Sequence, residues 1–172
     1  MGLFDGIKDA KASRGANYVK AGHYLVLIRR VKQDKTRKGD DFVAIEMVNL
    51  VTLAEDPAEQ AHRPGEQMSQ LLMRKNDSFL PNFKAFVSNV MAVDESQVGE
   101  EEAMEVVSDE QPLSGRVVEL QNKIVMTKKD TPFTLVNYVR SLDAEEIKEK
   151  IPADVIEKFL TAEEQERLAE LE

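Results

Sequence analysis

The feature that most constrains the fold is a stretch near the N-terminus that is apolar on both of its faces. It runs from Tyr18 to Val31, with Tyr24, Val26 and Ile28 on one face and Leu25, Leu27 and Val31 on the other. A strand with one face in water alternates between apolar and polar side chains, whereas a strand covered on both sides is apolar throughout. The stretch therefore predicts a long, largely buried strand.

Four further strands are predicted downstream. A polar turn centred on Gly39 leads into a strand over Phe42–Leu53 that is rich in β-branched residues, and a loop with two prolines separates it from a third strand over Glu66–Arg74. The last two strands cover roughly 113–127 and 133–141, on either side of a short turn that contains two lysines. The chain is thus expected to be mainly β.

Helical spacing appears in two places. Between the third and fourth strands, Phe79, Phe83 and Phe86 recur at the period of an amphipathic helix, which ends near Met91. After Ser141, three tail helices are predicted, the last one capped by Thr161 with a glutamate in capping-box position. The acidic stretch at about 94–110 is predicted to be a mobile insertion without a core element.

The order of these elements favours one architecture. Three strands, a helix and a hairpin is the order of the OB-fold, a five-stranded Greek-key barrel with its helix usually between strands three and four. The predicted organisation is a lead-in over 1–16, an OB-fold domain over 17–141 and an acidic helical tail over 142–172. SH3-like barrels and small β-sandwiches are the alternatives.

Enzymatic signals are scarce. The chain has no cysteine, no phosphate-binding or dinucleotide-binding glycine motif and no nucleophile elbow, and its two histidines lack partners at metal-ligand spacing. The acidic run at 100–102 is of a kind that is usually solvated. The sequence predicts a protein that is not an enzyme and has no cofactor or metal. Without an apolar run of membrane-spanning length, it is expected to be cytoplasmic and to have no membrane partner.

Charge is segregated along the chain. The formal net charge is −9, but residues 141–172 hold eleven acids and four bases, and residues 94–110 hold eight acids and no base. The other residues, 1–93 and 111–140, therefore carry 19 bases (23 − 4) against 13 acids (32 − 11 − 8). A basic body with acidic appendages suits a polyanionic partner, although the acid excess also serves solubility.

The basic residues cluster in the two loops that flank the oligonucleotide site of an OB-fold. The first cluster lies at the end of strand one and in the following turn, and consists of Arg29, Arg30, Lys32, Lys35, Arg37 and Lys38. The second is the turn with Lys128 and Lys129. The predicted nucleic-acid site also includes Arg74, Lys75, Lys123, Arg140 and two aromatic stacking candidates, Phe133 and Tyr138.

Each of these features has a plainer interpretation. Lysines in turns also keep hairpins soluble and their edges unpaired. Phe133 and Tyr138 are separated by an odd number of residues, so a regular strand points them to opposite faces. The tail helices either pack on the barrel or a second copy of it, or compete with nucleic acid for the basic loops. We expect the helices up to Leu160 to be structural and Thr161–Glu172 to be free.

The chain resembles the single-stranded DNA-binding proteins of bacteriophage replication modules over roughly residues 17–141. The resemblance lies in the order of the elements and in the character of short stretches of sequence. It rests on Gly22–Val31, the Lys35-Thr-Arg-Lys-Gly39 turn, the Phe42–Met47 strand, and the Ser78–Met91 helix ahead of Leu113-Ser-Gly-Arg116. It implies an OB-fold that binds single-stranded DNA with little sequence preference during replication or recombination, without catalysis. Replication proteins contacted through the acidic tail and a homo-oligomer are further possible partners. A virion structural or assembly protein and a protein-binding adaptor are the alternative functions.

Overall fold

The computed structural model describes residues 18–57 and 59–171. Five antiparallel strands form one sheet: β1 (Gly22–Lys35), β2 (Asp41–Ala54), β3 (Gln67–Met73), β4 (Val117–Met126) and β5 (Pro132–Ser141). Five α-helices accompany them: α1 (Phe79–Met91), α2 (Glu100–Val106), α3 (Ala144–Lys150), α4 (Ala153–Phe159) and α5 (Ala162–Ala169). The mainly β class with C-terminal helices is confirmed, and the predicted 1–16 lead-in lies outside the described residues.

The sheet order is β3-β2-β1-β4-β5, with the long β1 paired to both β2 and β4. The sheet does not close, because β3 and β5 form its two edges. It curls nevertheless, since the hydroxyl of Tyr138 on β5 donates to the side-chain oxygen of Gln70 on β3 at 2.5 Å. Helix α1 lies in the gap between these edges, where Phe86 packs edge-on against Tyr138 with ring centroids 4.6 Å apart.

Strand β1 is buried on both faces, as its composition predicts. Its inner side chains, including Tyr24 and Ile28, join a core shared with α1. Its outer side chains Leu25 and Leu27 join a second core with residues of the tail helices. A register shift between Ile28 and Arg30 lets Val31 return to the inner face, three residues after Ile28.

Helical structure between β3 and β4 differs from the prediction of a single helix. The acidic stretch contains a 3-10 turn at Glu95–Gln97 and then α2. Three glutamates occupy the first turn of α2, where negative charge favours a helix. Val106 at its end is 1% exposed and belongs to the inner core, so the expectation that this stretch holds no core element is wrong. Its mobility stays a prediction.

The tail packs on the outer face of the sheet. The second core includes Ile147 on α3, Ile151 just after α3 and Leu160 just after α4, all of them buried. The predicted structural role of the tail up to Leu160 is therefore confirmed. The expectation of a free end is wrong. Arg167 of α5 donates to the hydroxyl of Ser114 at 3.0 Å, and Leu168 packs against the second core.

Candidate nucleic-acid interface

The turn between β1 and β2 presents two free cations to solvent. Its backbone is closed by a bond from the Thr36 N–H to the Asp40 carbonyl and one from the Gly39 N–H to the Thr36 carbonyl, each 2.9 Å. Gly39 has φ of +85°, a conformation that glycine adopts without strain. Arg37 and Lys38 are exposed, and neither forms an ion pair with any described residue.

The end of β3 brings more positive charge to this turn. The backbone N–H of Arg74 donates to the carbonyl of Asp41 at 2.9 Å, and the ammonium of Lys75 lies 3.4 Å from Oδ2 of Asp40. Arg74 and Lys75 are far from this turn in the sequence, and the β2–β3 pairing brings them next to it. We call the resulting set the turn cluster: Arg30, Lys32, Lys35, Arg37, Lys38, Arg74 and Lys75.

Acids partly neutralise the turn cluster. Nζ of Lys32 lies 3.1 Å from Glu46, and Nζ of Lys35 lies 3.7 Å from Asp41. Most of these side chains are well exposed, so such pairs exchange readily with other anions and contribute little to stability. Within the described part of the chain, four cations of the turn cluster have no ion-pair partner: Arg30, Arg37, Lys38 and Arg74. The guanidinium of Arg74 lies over the ring of Phe79, 5.6 Å from its centroid.

Apolar side chains lie beside these cations on the outer face of β2 and β3. The register places Lys32 next to Ala44 and Ala44 next to Leu71, so the three form a row across the strands. The next row contains Phe42 and Met73. Leu71 is 41% exposed. Sequence analysis missed Leu71 and Met73 as site candidates, because only the strand register shows which outer side chains accompany the cations.

The second basic turn lies at the other end of the sheet. β4 runs antiparallel to β1 and pairs Asn122 with Gly22, so the turn with Lys128 and Lys129 projects beyond the start of β1. The turn cluster lies beyond the end of the same 14-residue strand. Between them, the tail helices cover the outer face of β1. The two turns predicted to flank one oligonucleotide site therefore do not adjoin along the outer face of β1, and their joint role in binding stays a prediction.

Two other predicted site residues, Arg29 and Arg140, are engaged within the protein. Arg29 contacts Glu164 and the carbonyl of Phe159, and Arg140 contacts Glu119 and Glu146. The hydrogen bond to Glu146 raises the pKa of Arg140 above its usual value.

Tyr138 is 5% exposed, and burial raises the pKa of its hydroxyl. It is a core residue that no base can reach, which corrects its assignment as a stacking residue. Phe133 points the other way and is 53% exposed, as the odd spacing predicts.

A cleft of about 610 Å³ lies at the start of β1, away from the turn cluster. Its lining includes Asn82, Gln121, Lys123 and Asn137 together with Glu55. Lys123 is thus the one predicted site residue that borders this cleft. The acids beside it make the cleft less suited to a phosphate than the turn cluster is.

Within residues 18–57 and 59–171, no group of three or more His, Asp or Glu side chains is arranged to hold a metal ion. No helix in that same part of the chain is long and apolar enough to cross a membrane. Comparison with protein-family models gives no match, and comparison with curated proteins gives none either.

Proposed function

We propose that this chain binds single-stranded DNA with little sequence preference, through the turn cluster and the outer face of β2 and β3. The observation that carries the proposal is the convergence of Arg74 and Lys75 from β3 with the cations of the β1–β2 turn. In an OB-fold, the face of strands two and three and the loop between strands one and two are the usual oligonucleotide site.

The strand arrangement supports an OB-type barrel. β1 pairs with both β2 and β4, and α1 follows β3, as in that fold. OB barrels are partly open, and here α1 and the Tyr138–Gln70 hydrogen bond fill the gap between the edge strands. We propose, in line with the resemblance to phage replication proteins, that the chain acts during replication or recombination and has no catalytic step.

Binding would follow from charge and apolar contact together. Phosphates take the place of solvent around the unpaired cations Arg30, Arg37, Lys38 and Arg74. They displace the weak acid partners of Lys32, Lys35 and Lys75, with release of counterions. Bases then rest on Leu71, Met73 and Phe42, whose apolar surfaces discriminate little among the four bases. A polar or charged outer face would offer no such support.

A titration of labelled poly-dT by fluorescence anisotropy at two salt concentrations tests the proposal. Each phosphate neutralised contributes about −0.7 to the slope of log affinity against log salt. The double variant Arg37→Glu/Lys38→Glu breaks no ion pair of the described structure, so it should stay folded while binding weakens and the slope becomes shallower.

Two further variants complete the design. Arg63→Glu/Lys148→Glu makes the same charge change at two exposed positions outside the turn cluster, in the loop between β2 and β3 and on α3, and it should bind nearly as the native protein does. Lys128→Glu/Lys129→Glu measures whether the second basic turn contributes. The proposal fails if poly-dT does not bind at low salt, or if the first two variants lose affinity equally.

The protein-binding adaptor and the virion assembly protein are favoured by a different observation, namely exposed apolar side chains on the β4–β5 hairpin. Met126 and Phe133 are more than half exposed there. This surface lies away from the turn cluster, so a protein contact at the hairpin is compatible with DNA binding at the cluster.

A further inference from the structure

Strand β5 leaves part of its backbone unpaired. It is an edge strand that pairs with β4 alone. Near its end α1 closes the open side, because the side chain of Asn89 donates to the carbonyl of Tyr138 at 2.8 Å and Ser141 donates to the carbonyl of Val90 at 2.6 Å. From Pro132 to Asn137, a length of roughly 20 Å, no described strand pairs with the side of β5 that faces away from β4.

The free groups can be assigned along this stretch. The carbonyl of Tyr138 points away from β4, since Asn89 reaches it, whereas the carbonyl of Thr131 bonds to Thr127 inside the hairpin. Backbone groups alternate in direction along a strand. The N–H and C=O groups of Thr134 and Val136 therefore point to the open side.

The side chains here lack the usual protection of an edge. Residues 131–139 contain no charged residue, in a chain in which 32% of residues are charged. Monomeric proteins usually place lysines, prolines or bulges on exposed edges to prevent pairing, and here Pro132 protects only the first residue. Phe133 is 53% and Leu135 41% exposed, and a contiguous apolar surface of this kind marks a contact with another protein.

We propose that two copies of this chain pair through their β5 edges, antiparallel and about a two-fold axis near Leu135. Thr134 of each copy then bonds to Val136 of the other, and the absence of charge leaves no like charges opposed. The open segment is short and carries no charge. A second copy of the same uncharged segment therefore suits it better than a charged partner segment would.

The length of the open stretch fits this pairing. With Leu135 facing Leu135, the paired length runs from Phe133 to Asn137 in each copy. It stops before Tyr138, whose carbonyl is already held by Asn89. The α1 side chains that border the open stretch are Asn82, Ala85 and Asn89, which are exposed, short and uncharged, so they permit close approach.

Sedimentation equilibrium of the full chain measures the association directly. The native protein should sediment at twice its monomer mass of 19.4 kDa in the micromolar range. Leu135→Lys should shift it to the monomer by placing like charges across the axis. The control Leu53→Lys alters a leucine of similar exposure, 46%, at the end of β2 and should leave the dimer intact. A monomeric native protein, or a Leu135→Lys variant that stays dimeric, overturns the proposal.

Because the chain has no cysteine, a single introduced cysteine gives an independent test. Residues facing each other across a non-hydrogen-bonded antiparallel pair have Cα atoms about 4.5 Å apart, within the range of a disulfide. Leu135→Cys should therefore crosslink two copies on mild oxidation, and Leu53→Cys should not. Equal crosslinking of both variants overturns the proposal even if Leu135→Lys fails to fold.

The same variants separate a second copy from DNA as the occupant. If Leu135→Lys changes the affinity for poly-dT while the native protein sediments as a monomer, the edge contacts nucleic acid and the dimer proposal is wrong. If Leu135→Lys abolishes the dimer and the Arg37→Glu/Lys38→Glu variant stays dimeric, pairing of the edges is established whether or not DNA binds at the turn cluster.

Discussion

Arg29 of β1 and Glu164 of α5 form an ion pair on the outer face of the sheet, with Nε 3.1 Å from Oε2. The guanidinium also donates to the carbonyl of Phe159 at 2.8 Å. The two side chains are 26% and 14% exposed, so the pair is largely shielded from water. It fixes the acidic helix to the sheet and withdraws one arginine from the proposed DNA-binding surface.

Neighbouring arginines should consequently have different roles. Arg29→Ala removes the partner of a shielded carboxylate and should lower the free energy of unfolding by about 2 kcal/mol, with little effect on poly-dT binding. Arg30→Ala should change stability by less than about 0.5 kcal/mol and weaken binding. Urea unfolding and anisotropy titrations measure the two effects. Weaker binding with unchanged stability in Arg29→Ala would place that side chain in the DNA site.

Gly65 and Phe159 provide a test of tail docking. A Cβ at Gly65 would overlap the ring of Phe159, and φ there is +89°. Gly39 has a similar φ of +85° but open space around it. Gly39→Ala should therefore cost only the backbone strain, about 1–2 kcal/mol, whereas Gly65→Ala should cost about 1–3 kcal/mol more because the tail must shift. Equal melting temperatures for the two variants would show that α4 does not pack on the loop before β3.

Val106 tests whether the acidic stretch belongs to the core. It is 1% exposed, while Met104 on the same short helix is 64% exposed. Val106→Ala removes two buried methyl groups together with the contacts they make, and it should destabilise the protein by about 2 kcal/mol. Met104→Ala should change the free energy of unfolding by less than about 0.5 kcal/mol. If the two substitutions have the same small effect, α2 does not contribute to the core.

Glu146 predicts a specific loss of stability in acid. Hydrogen bonds from Arg140, the shortest 2.6 Å, lower the pKa of this carboxyl to about 2 from its ordinary 4.5. Since the pKa is lower in the folded chain, the stabilisation is complete above about pH 4.5 and disappears as the pH falls toward 2. Urea unfolding between pH 6 and pH 2.5 should show native protein and Glu146→Gln converging at the acid end.

Glu145→Gln is the matched control for this pH dependence. Glu145 is exposed and forms no ion pair within the described residues. Its substitution should leave the slope of stability against pH as in the native protein. A Glu146→Gln variant that shows the native slope would mean that the Arg140 pair is not maintained in solution.

Local features were predictable from the sequence because their interactions are local. The capping box of Thr161 and Glu164 joins residues three apart, and both of its hydrogen bonds are present. The bounds of β2, β3 and β5 agree with the alternation pattern to within one residue at each end. β1 instead runs on to Lys35, because its polar end pairs with β2 as a hairpin that extends past the core.

Composition failed where a few apolar residues outweighed many acids. Eight acids in the 94–110 stretch argued for a segment outside the core, yet Val106 is buried there, and Val98, Ala103 and Val107 pack against the same core. The free end expected for the tail failed for a related reason, because its partner Arg29 lies 135 residues away. Neither of these tertiary contacts can be recognised from the residues that neighbour it in the sequence.

The sequence by itself determined the mainly β class, the succession of strands along the chain, the two-sided burial of β1 and the basic character of both turns. These features could be predicted because alternation and charge are properties of neighbouring residues. Only the tertiary structure decided which charges share a surface. Antiparallel pairing sends the two basic turns to opposite ends of β1 and brings Arg74 and Lys75 to the first of them. That outcome depends on strand direction, register and the helices packed between, which couple residues far apart in the chain.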